Sequence, residues 1–384
     1  MTKGNFPTAE LTSIETPFYY YDIALLKRTL EVVKEETKKY GFILHYAVKA
    51  NANRRILDII AAAGFGADCV SGNELKAAAA GFPSGKIVFA GVGKTDREIK
   101  LALDYDIFCF NAESLPELEA INRIAQSKDK TARVALRINP NVDAHSHEYI
   151  TTGLNENKFG FGMSSLPEAI KAIKALSNIE LIGIHFHIGS QITDLTIFKP
   201  LCERVNALQD FFEQEGVALK EINVGGGLGI DYEAPDEHPI PDFAGYFALF
   251  HENLKLRPGQ RLHFELGRSV VAQCGSLISK VVYVKQGESK QFVILDAGMT
   301  DLIRPALYQA YHKVENISSD SIEKIYDVVG PICESSDVFV KDYPLNETQR
   351  GDLLALRSAG AYGQIMASQY NCRELPKDYY SDSL

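Results

Sequence analysis

The residues that could do chemistry stand at the ends of short apolar runs. Lys49, in Tyr46-Ala47-Val48-Lys49-Ala50-Asn51, follows one such run. A lysine emerging there can be desolvated, which frees a neutral amine for Schiff-base chemistry. Asp68 lies in the second such run, Ala67 to Val70, towards the end of the strand it predicts. Gly225, Gly226 and Gly227, followed by Leu228 and Gly229, have no side chains to keep an anion from their backbone N–H groups. A phosphate suits such a turn, and a following helix N-terminus would add a favourable dipole. The turn is not a nucleotide-binding lysine loop, because no Gly-Lys-Ser/Thr follows. A plain turn needing positive φ is the other reading.

His185 and His187 alternate with Ile184, Phe186 and Ile188, so both point to one side of a strand. They read either as satisfied core histidines or as rings that titrate and stack on a planar group. No third ligand stands at a suitable spacing, so no metal is expected. Glu265 sits within Phe264-Glu265-Leu266-Gly267-Arg268. A buried carboxylate there needs a cationic partner. A protonated pyridine nitrogen fits, and Arg137 or Arg268 is the structural alternative. Arg304 and Tyr308 are spaced i, i+4 and share a face if helical, where the arginine fork would grip a carboxylate. Cys333-Glu334 places a thiol beside a carboxylate in a Gly/Pro/Ser loop, and Tyr362 lies between small residues.

These positions need elements to hold them. Runs rich in β-branched and aromatic residues occur at 42–48, 67–70, 87–90, 107–110, 133–139, 180–188, 221–224 and 262–266. Amphipathic stretches separate them: Ile56, Ile59, Ile60 and Ala63 fall on one helical face, as do Leu118, Ile121 and Ala125. Strand–helix alternation calls for a parallel sheet, and eight even repeats favour a closed (β/α)8 TIM-like barrel over a doubly wound sheet. In such a barrel the site lies at the C-terminal ends of the strands, where the residues above stand. After 267 the runs are short and mostly lack helices: 277–284, 291–295, 325–329, 338–340 and 353–356. They predict a mainly antiparallel β domain built from 268–384 and joined by 1–24 through the run Phe18 to Tyr21, with the barrel over 25–267. The polar stretch from Pro140 to Gly162 reads as a long functional or mobile loop.

Composition narrows the function. The chain has 384 residues, 40 Lys and Arg against 50 Asp and Glu, and a net charge of −10. That balance argues against nucleic acid and against a polybasic membrane surface. No apolar run is long enough to span a membrane, and the N-terminus shows no secretory pattern. The six cysteines form no Cys-x-x-Cys pair. Free thiols in the cytoplasm are the expectation.

Taken in order, Tyr46 to Asn51, His187-Ile188-Gly189-Ser190-Gln191, Gly225 to Gly229, Glu265 to Arg268, Asp296 to Tyr308, Cys333 to Asp337 and Ser358 to Gly363 resemble the diaminopimelate decarboxylase family, of the barrel-type, alanine-racemase-like pyridoxal-phosphate enzymes. One departure is Leu266, where the family commonly has proline. The resemblance implies decarboxylation of the small-molecule amino acid meso-2,6-diaminopimelate to L-lysine, with related decarboxylases of ornithine, arginine or carboxynorspermidine as the alternative. It implies pyridoxal 5'-phosphate carried on Lys49, with Asp68, Gly267 and Tyr362 among the residues around the cofactor. Ser190, Gly225 to Gly227 and Arg268 would lie around its phosphate, His187 against its ring and Glu265 at its ring nitrogen. Arg268, Arg304 and Tyr308 would hold substrate carboxylate, and Tyr362 would also touch substrate. The family is a homodimer with shared sites, so Cys333 would come from the partner subunit as proton donor and Glu334 would meet the distal end of the substrate. An acidic Glu265 speaks against a racemase. Arg304, Cys333 and Tyr362, beyond the barrel, speak against a non-catalytic cofactor carrier.

Overall fold

The computed structural model describes residues 4–142 and 158–384. Most of the loop expected from Pro140 to Gly162 therefore lies outside the described residues. The chain divides into two compact units. One comprises Leu30–Gly229 and Asp242–Gly267; the other comprises the residues up to Thr29, Ile230–Pro241 and Arg268–Leu384.

The first unit is a closed parallel barrel. Its strands are β2 (Ile43–Ala47), β3 (Gly66–Cys69), β4 (Ile87–Phe89), β5 (Cys109–Ala112), β6 (Ala132–Arg137), β7 (Ile179–His185), β8 (Glu221–Asn223) and β9 (Arg261–Leu266), with β1 (Phe18–Tyr21) preceding them in the chain. Closure comes from β9 pairing with β2, with Ile43 opposite His263 and His45 opposite Glu265. All eight apolar runs are strands. Each is short because a parallel barrel strand is covered on its outer face by one helix, and the intervening helices carry the matching stripe. Over Arg54–Ala62, Ile56, Leu57 and Ile60 are buried, and the Asn53 side chain caps the first turn by accepting from the N–H groups of Arg55 and Ile56. Over Leu115–Ser127, Leu118, Ile121, Ile124 and Ala125 are buried. Leu266 ends β9 as a buried strand residue, so the strand continues where the family commonly has proline.

The second unit is built on an eight-stranded sheet. Its strands are β10 (Gly275–Gln286), β11 (Gln291–Leu295), β12 (Val314–Asn316), β13 (Glu323–Val329), β14 (Val338–Asn346), β15 (Leu353–Leu356) and β16 (Lys377–Tyr380), together with β1. Six run in the order β12-β15-β10-β11-β13-β14, and β1 lies antiparallel to β10 and parallel to β16. The sheet is mostly antiparallel, the second parallel pair being β11 with β13. The N-terminal run joins this sheet as its spacing predicts. Strands β12 and β16 were not read from sequence: Val314-Glu315-Asn316 and Lys377-Asp378-Tyr379-Tyr380 have neither a run nor an alternation of apolar residues.

Candidate active site

In the barrel, Lys49 leaves β2 in a single turn, Val48–Ala50, whose flanking residues are both buried. Gly267 allows the chain after β9 to pass against this turn, because a Cβ there would come within 2.9 Å of the Ala50 methyl. The Lys49 side chain is 39% exposed, so barrel residues alone do not desolvate it. Its Nζ lies 3.9 Å from Oδ2 of Asp68 at the end of β3. Asp68 is buried and neither of its carboxyl oxygens has a hydrogen-bond partner among the described residues. Burial, and then the charge of Glu265, push its pKa well above the usual range against the pull of Lys49.

Glu265 on β9 has the opposite setting. Its Oε1 accepts from Asn111 of β5 at 3.0 Å and from Asn223 of β8 at 2.7 Å, and its Oε2 lies 2.8 Å from Nε2 of His185 on β7. Burial alone would raise this carboxyl, but the charge and hydrogen bond of His185 outweigh it and hold Glu265 well below the ordinary value. Neither arginine of the structural alternative hydrogen-bonds to it. Arg137 is committed to the buried Glu113 at 2.7 Å and lies over the Phe159 ring at 4.6 Å. Arg268 hydrogen bonds elsewhere, as described below. Two carboxamides and an imidazole thus stand where the structural alternative had placed a guanidinium. Asn111 and Asn223 were missed; the signal was present, since each is a polar residue in a short apolar strand, as Asp68 is.

His185 is therefore a support for Glu265. His187, two residues beyond β7, stands apart from it: its Nδ1 accepts from the Gly226 N–H at 3.4 Å. Burial, then the cations Lys49 and Arg137, drive its pKa well below the ordinary histidine value and keep the ring neutral. The glycine turn is partly spent on the fold. Gly225 and Gly227 have φ of +70° and +116°, and a Cβ at Gly225 or Gly226 would collide with the carbonyl of Phe186 or of Glu265. The Gly225 N–H donates to Asn223 Oδ1 at 2.9 Å. No helix begins at the turn; the next one is Phe243–Asn253. The expected dipole is thus not supplied there. The loop carrying Ser190 meets the turn through a bridge between Ile192 and Leu228.

In the second unit, Arg304 opens the short helix Arg304–Tyr308 and is buried. Its Nη1 donates to the Tyr232 hydroxyl at 2.9 Å and lies 2.8 Å from Nε2 of His312. Arg268 donates to the same hydroxyl at 2.6 Å, and its guanidinium lies 4.9 Å from the ring of Tyr362. Burial alone would raise the Tyr232 phenol, but the two guanidiniums outweigh it and lower it from its ordinary value. Burial and then Arg304 push His312 down to about 3. Tyr232 and His312 were missed, and nothing in their local sequence marks them. Tyr362 holds a φ of +56° between Ala361 and Gly363. Cys333 and Glu334 are exposed; the Cys333 N–H donates to Asn371 Oδ1 at 3.4 Å and Glu334 Oε1 accepts from Tyr370 at 2.7 Å. Their loop is shaped by Asp337, which accepts from the N–H groups of Met299 and Ile332.

Comparison with known proteins bears on this arrangement. Residues 24–272 match the family described as "Pyridoxal-dependent decarboxylase, pyridoxal binding domain". The chain is 62% identical over 384 residues to the diaminopimelate decarboxylase of Bacteroides thetaiotaomicron, covering all of both chains. It is similar to the crystal structure of the Helicobacter pylori diaminopimelate decarboxylase complexed with L-lysine, with a TM-score of 0.91 and 41% identity, covering 97% of this chain and 93% of that one. A lysine/ornithine decarboxylase from Vibrio vulnificus shares the fold at 21% identity with a TM-score of 0.85.

Proposed function

The chain belongs to the pyridoxal-dependent decarboxylases, and within them to the diaminopimelate decarboxylases; on that premise we propose the following division of labour for its residues. The reaction is the decarboxylation of meso-2,6-diaminopimelate to L-lysine and CO2, and the cofactor is pyridoxal 5'-phosphate.

The residues present fit that cofactor. The bare Asp68 oxygens are the test: a buried carboxyl with no donor is costly unless a bound group supplies one. Glu265 adds a buried, ionised carboxylate suited to a protonated ring nitrogen. When bound, pyridoxal phosphate supplies the electron sink for cleavage of the Cα–carboxylate bond. The protein does the rest. Lys49 would hold the cofactor through its side-chain amine. Asn111, Asn223 and His185 keep Glu265 charged. His187, neutral, offers a flat face to the ring. Ser190 and the glycine turn would hold its phosphate, and Arg268 is the cation assigned to it. Arg268, Arg304 and Tyr308 hold the distal carboxylate, with Tyr362 beside them. Cys333 protonates Cα as general acid, and Cys333 and Glu334 act from the partner subunit of a homodimer. The cytoplasm is the compartment that suits the six cysteines, none of which is disulfide-bonded.

The observation that carries the substrate is the pairing of buried Arg268 and Arg304 on one neutral phenol oxygen. Arg304 meets only neutral acceptors among the described residues, which leaves its positive charge for a ligand anion; a second carboxylate on the substrate satisfies it and a side-chain amine does not. Incubating the holoenzyme separately with meso-diaminopimelate, ornithine and arginine tests it. The expected result is CO2 and L-lysine from the first, with little turnover of the others. Comparable turnover of ornithine or arginine would overturn the assignment.

A further inference from the structure

The guanidinium of Arg304 is held along one edge by groups that carry no negative charge. Both N–H bonds of its Nη1 are used, one to the Tyr232 hydroxyl at 2.9 Å and one to His312 Nε2 at 2.8 Å. A guanidinium only donates, so His312 Nε2 presents a lone pair, and the ring proton sits on Nδ1, which faces the Arg357 carbonyl at 2.8 Å. That carbonyl fixes the tautomer. The Tyr232 and His312 rings pack edge to face, centroids 5.1 Å apart, which fixes both acceptors. Tyr232 accepts a second hydrogen bond from Arg268, bringing the two guanidiniums to one oxygen. Arg357 ties the assembly together: its carbonyl meets His312, and its guanidinium pairs with Asp236, four residues after Tyr232. The Nε and Nη2 groups of Arg304, the pair that grips a carboxylate bidentately, have no hydrogen-bond partner among the described residues.

We propose that Tyr232 and His312 are positioning residues that occupy the Nη1 side of Arg304 and hold Arg268 beside it, so that the remaining edge of Arg304 selects a substrate by its distal carboxylate. This rests on the substrate reading above. An acidic partner in their place would cancel the charge the carboxylate needs. A neutral phenol and a neutral imidazole orient the guanidinium and leave its charge available.

Product inhibition of the holoenzyme separates the cases. L-Lysine retains one carboxylate, and cadaverine is L-lysine without it. In the unaltered enzyme L-lysine inhibits more strongly than cadaverine. In Tyr232→Phe the inhibition constant for L-lysine and the KM for diaminopimelate rise about tenfold, as loss of a hydrogen bond to a charged group requires. The constant for cadaverine stays within about twofold, since the lost interaction concerns only the carboxylate. His312→Gln, which keeps an acceptor for Nη1, preserves the preference for L-lysine, and His312→Leu loses it. These two variants decide the question if Tyr232→Phe does not fold. Equal weakening of both inhibitors, or no change in either, overturns the positioning role. If the unaltered enzyme already fails to prefer L-lysine, it is the substrate reading that fails.

Discussion

The two units solve the same electrostatic problem with opposite signs. In the barrel a single anion, Glu265, is buried among Asn111, Asn223 and His185. In the β unit two cations, Arg268 and Arg304, are buried against Tyr232 and His312. Among the described residues, neither Glu265 nor Arg304 hydrogen-bonds to a side chain of fixed opposite charge. Contrast Arg137, which pairs directly with the buried carboxylate of Glu113 at 2.7 Å. That guanidinium is committed to a carboxylate of the protein itself. Charges held by hydrogen bonds to carboxamide, imidazole and phenol groups stay in place and keep their reach. The difference separates residues that build the protein from residues that act on a guest.

The largest effect lies outside both clusters. Lys49→Ala should lower turnover by about 10³-fold or more, because the covalent hold on the cofactor is lost. Borohydride reduction followed by peptide mapping should find the cofactor on the Lys49 peptide in the unaltered enzyme and not in the variant. Label on another lysine would dismiss the role given to Lys49. The anionic cluster comes next. Glu265→Gln replaces an acceptor of three hydrogen bonds by an amide, one end of which must face a donor. Turnover should fall about 10²-fold through lost electrostatic stabilisation, while KM changes far less. A variant with intact thermal stability and near-normal turnover would show that the charge at Glu265 is structural, and the comparison between the units would fail on the barrel side.

The barrel was legible because its strands are apolar runs of even spacing, and Lys49, Asp68 and Glu265 stand out as charges at strand ends or within strands. In the β domain, β11 and β15 were read at their true bounds, since Gln291 to Leu295 and Leu353 to Leu356 are compact apolar runs. What was not legible is partnership. Nothing local tells that Glu265 would meet His185 rather than Arg137, because both stand near the ends of barrel strands and only register and tilt decide which side chain arrives. Tyr232 lies 72 residues from Arg304 in sequence. An ordinary tyrosine that far away gives no sign of its task. The glycine turn shows the converse: its composition suggested an anion site, and backbone crowding at Gly225 and Gly226 supplies a sufficient reason for those glycines without any ligand.

The cationic cluster should break on a different kinetic constant. Arg304→Met removes a buried charge while keeping most of the side-chain volume. KM for diaminopimelate should rise by about 30- to 100-fold, in line with loss of one partner of a buried charged contact, and turnover at saturation should fall less. If turnover collapsed while KM held, Arg304 would belong with the reacting groups, and the distal-carboxylate role proposed for it would be wrong.

The smallest effect tests whether each unit depends on a neutral histidine. His45 in the barrel and His312 in the β unit are both pushed down to about 3 from an ordinary value of 6.5, chiefly by burial. A depressed histidine leaves the folded state neutral while the unfolded chain takes up a proton. Its contribution to stability is therefore complete above pH 6.5 and is lost as the pH falls towards 3. Across that window each histidine adds at most about 1.4 kcal/mol per pH unit to the slope of stability against pH. Replacing either by Gln should flatten the slope between pH 4.5 and 6.5 in urea titrations, at about the same increment for each. The histidines differ in what else fails. Protonating His45 sets a positive charge beside His263, in a pair that does not touch the proposed cationic clamp. Protonating His312 puts a proton on the nitrogen that accepts from Arg304, so that hydrogen bond cannot survive. Acid should therefore weaken L-lysine inhibition before the protein unfolds, and His312→Gln should remove that loss while His45→Gln should not. An identical acid profile in both variants would mean that the clamp does not depend on a neutral His312.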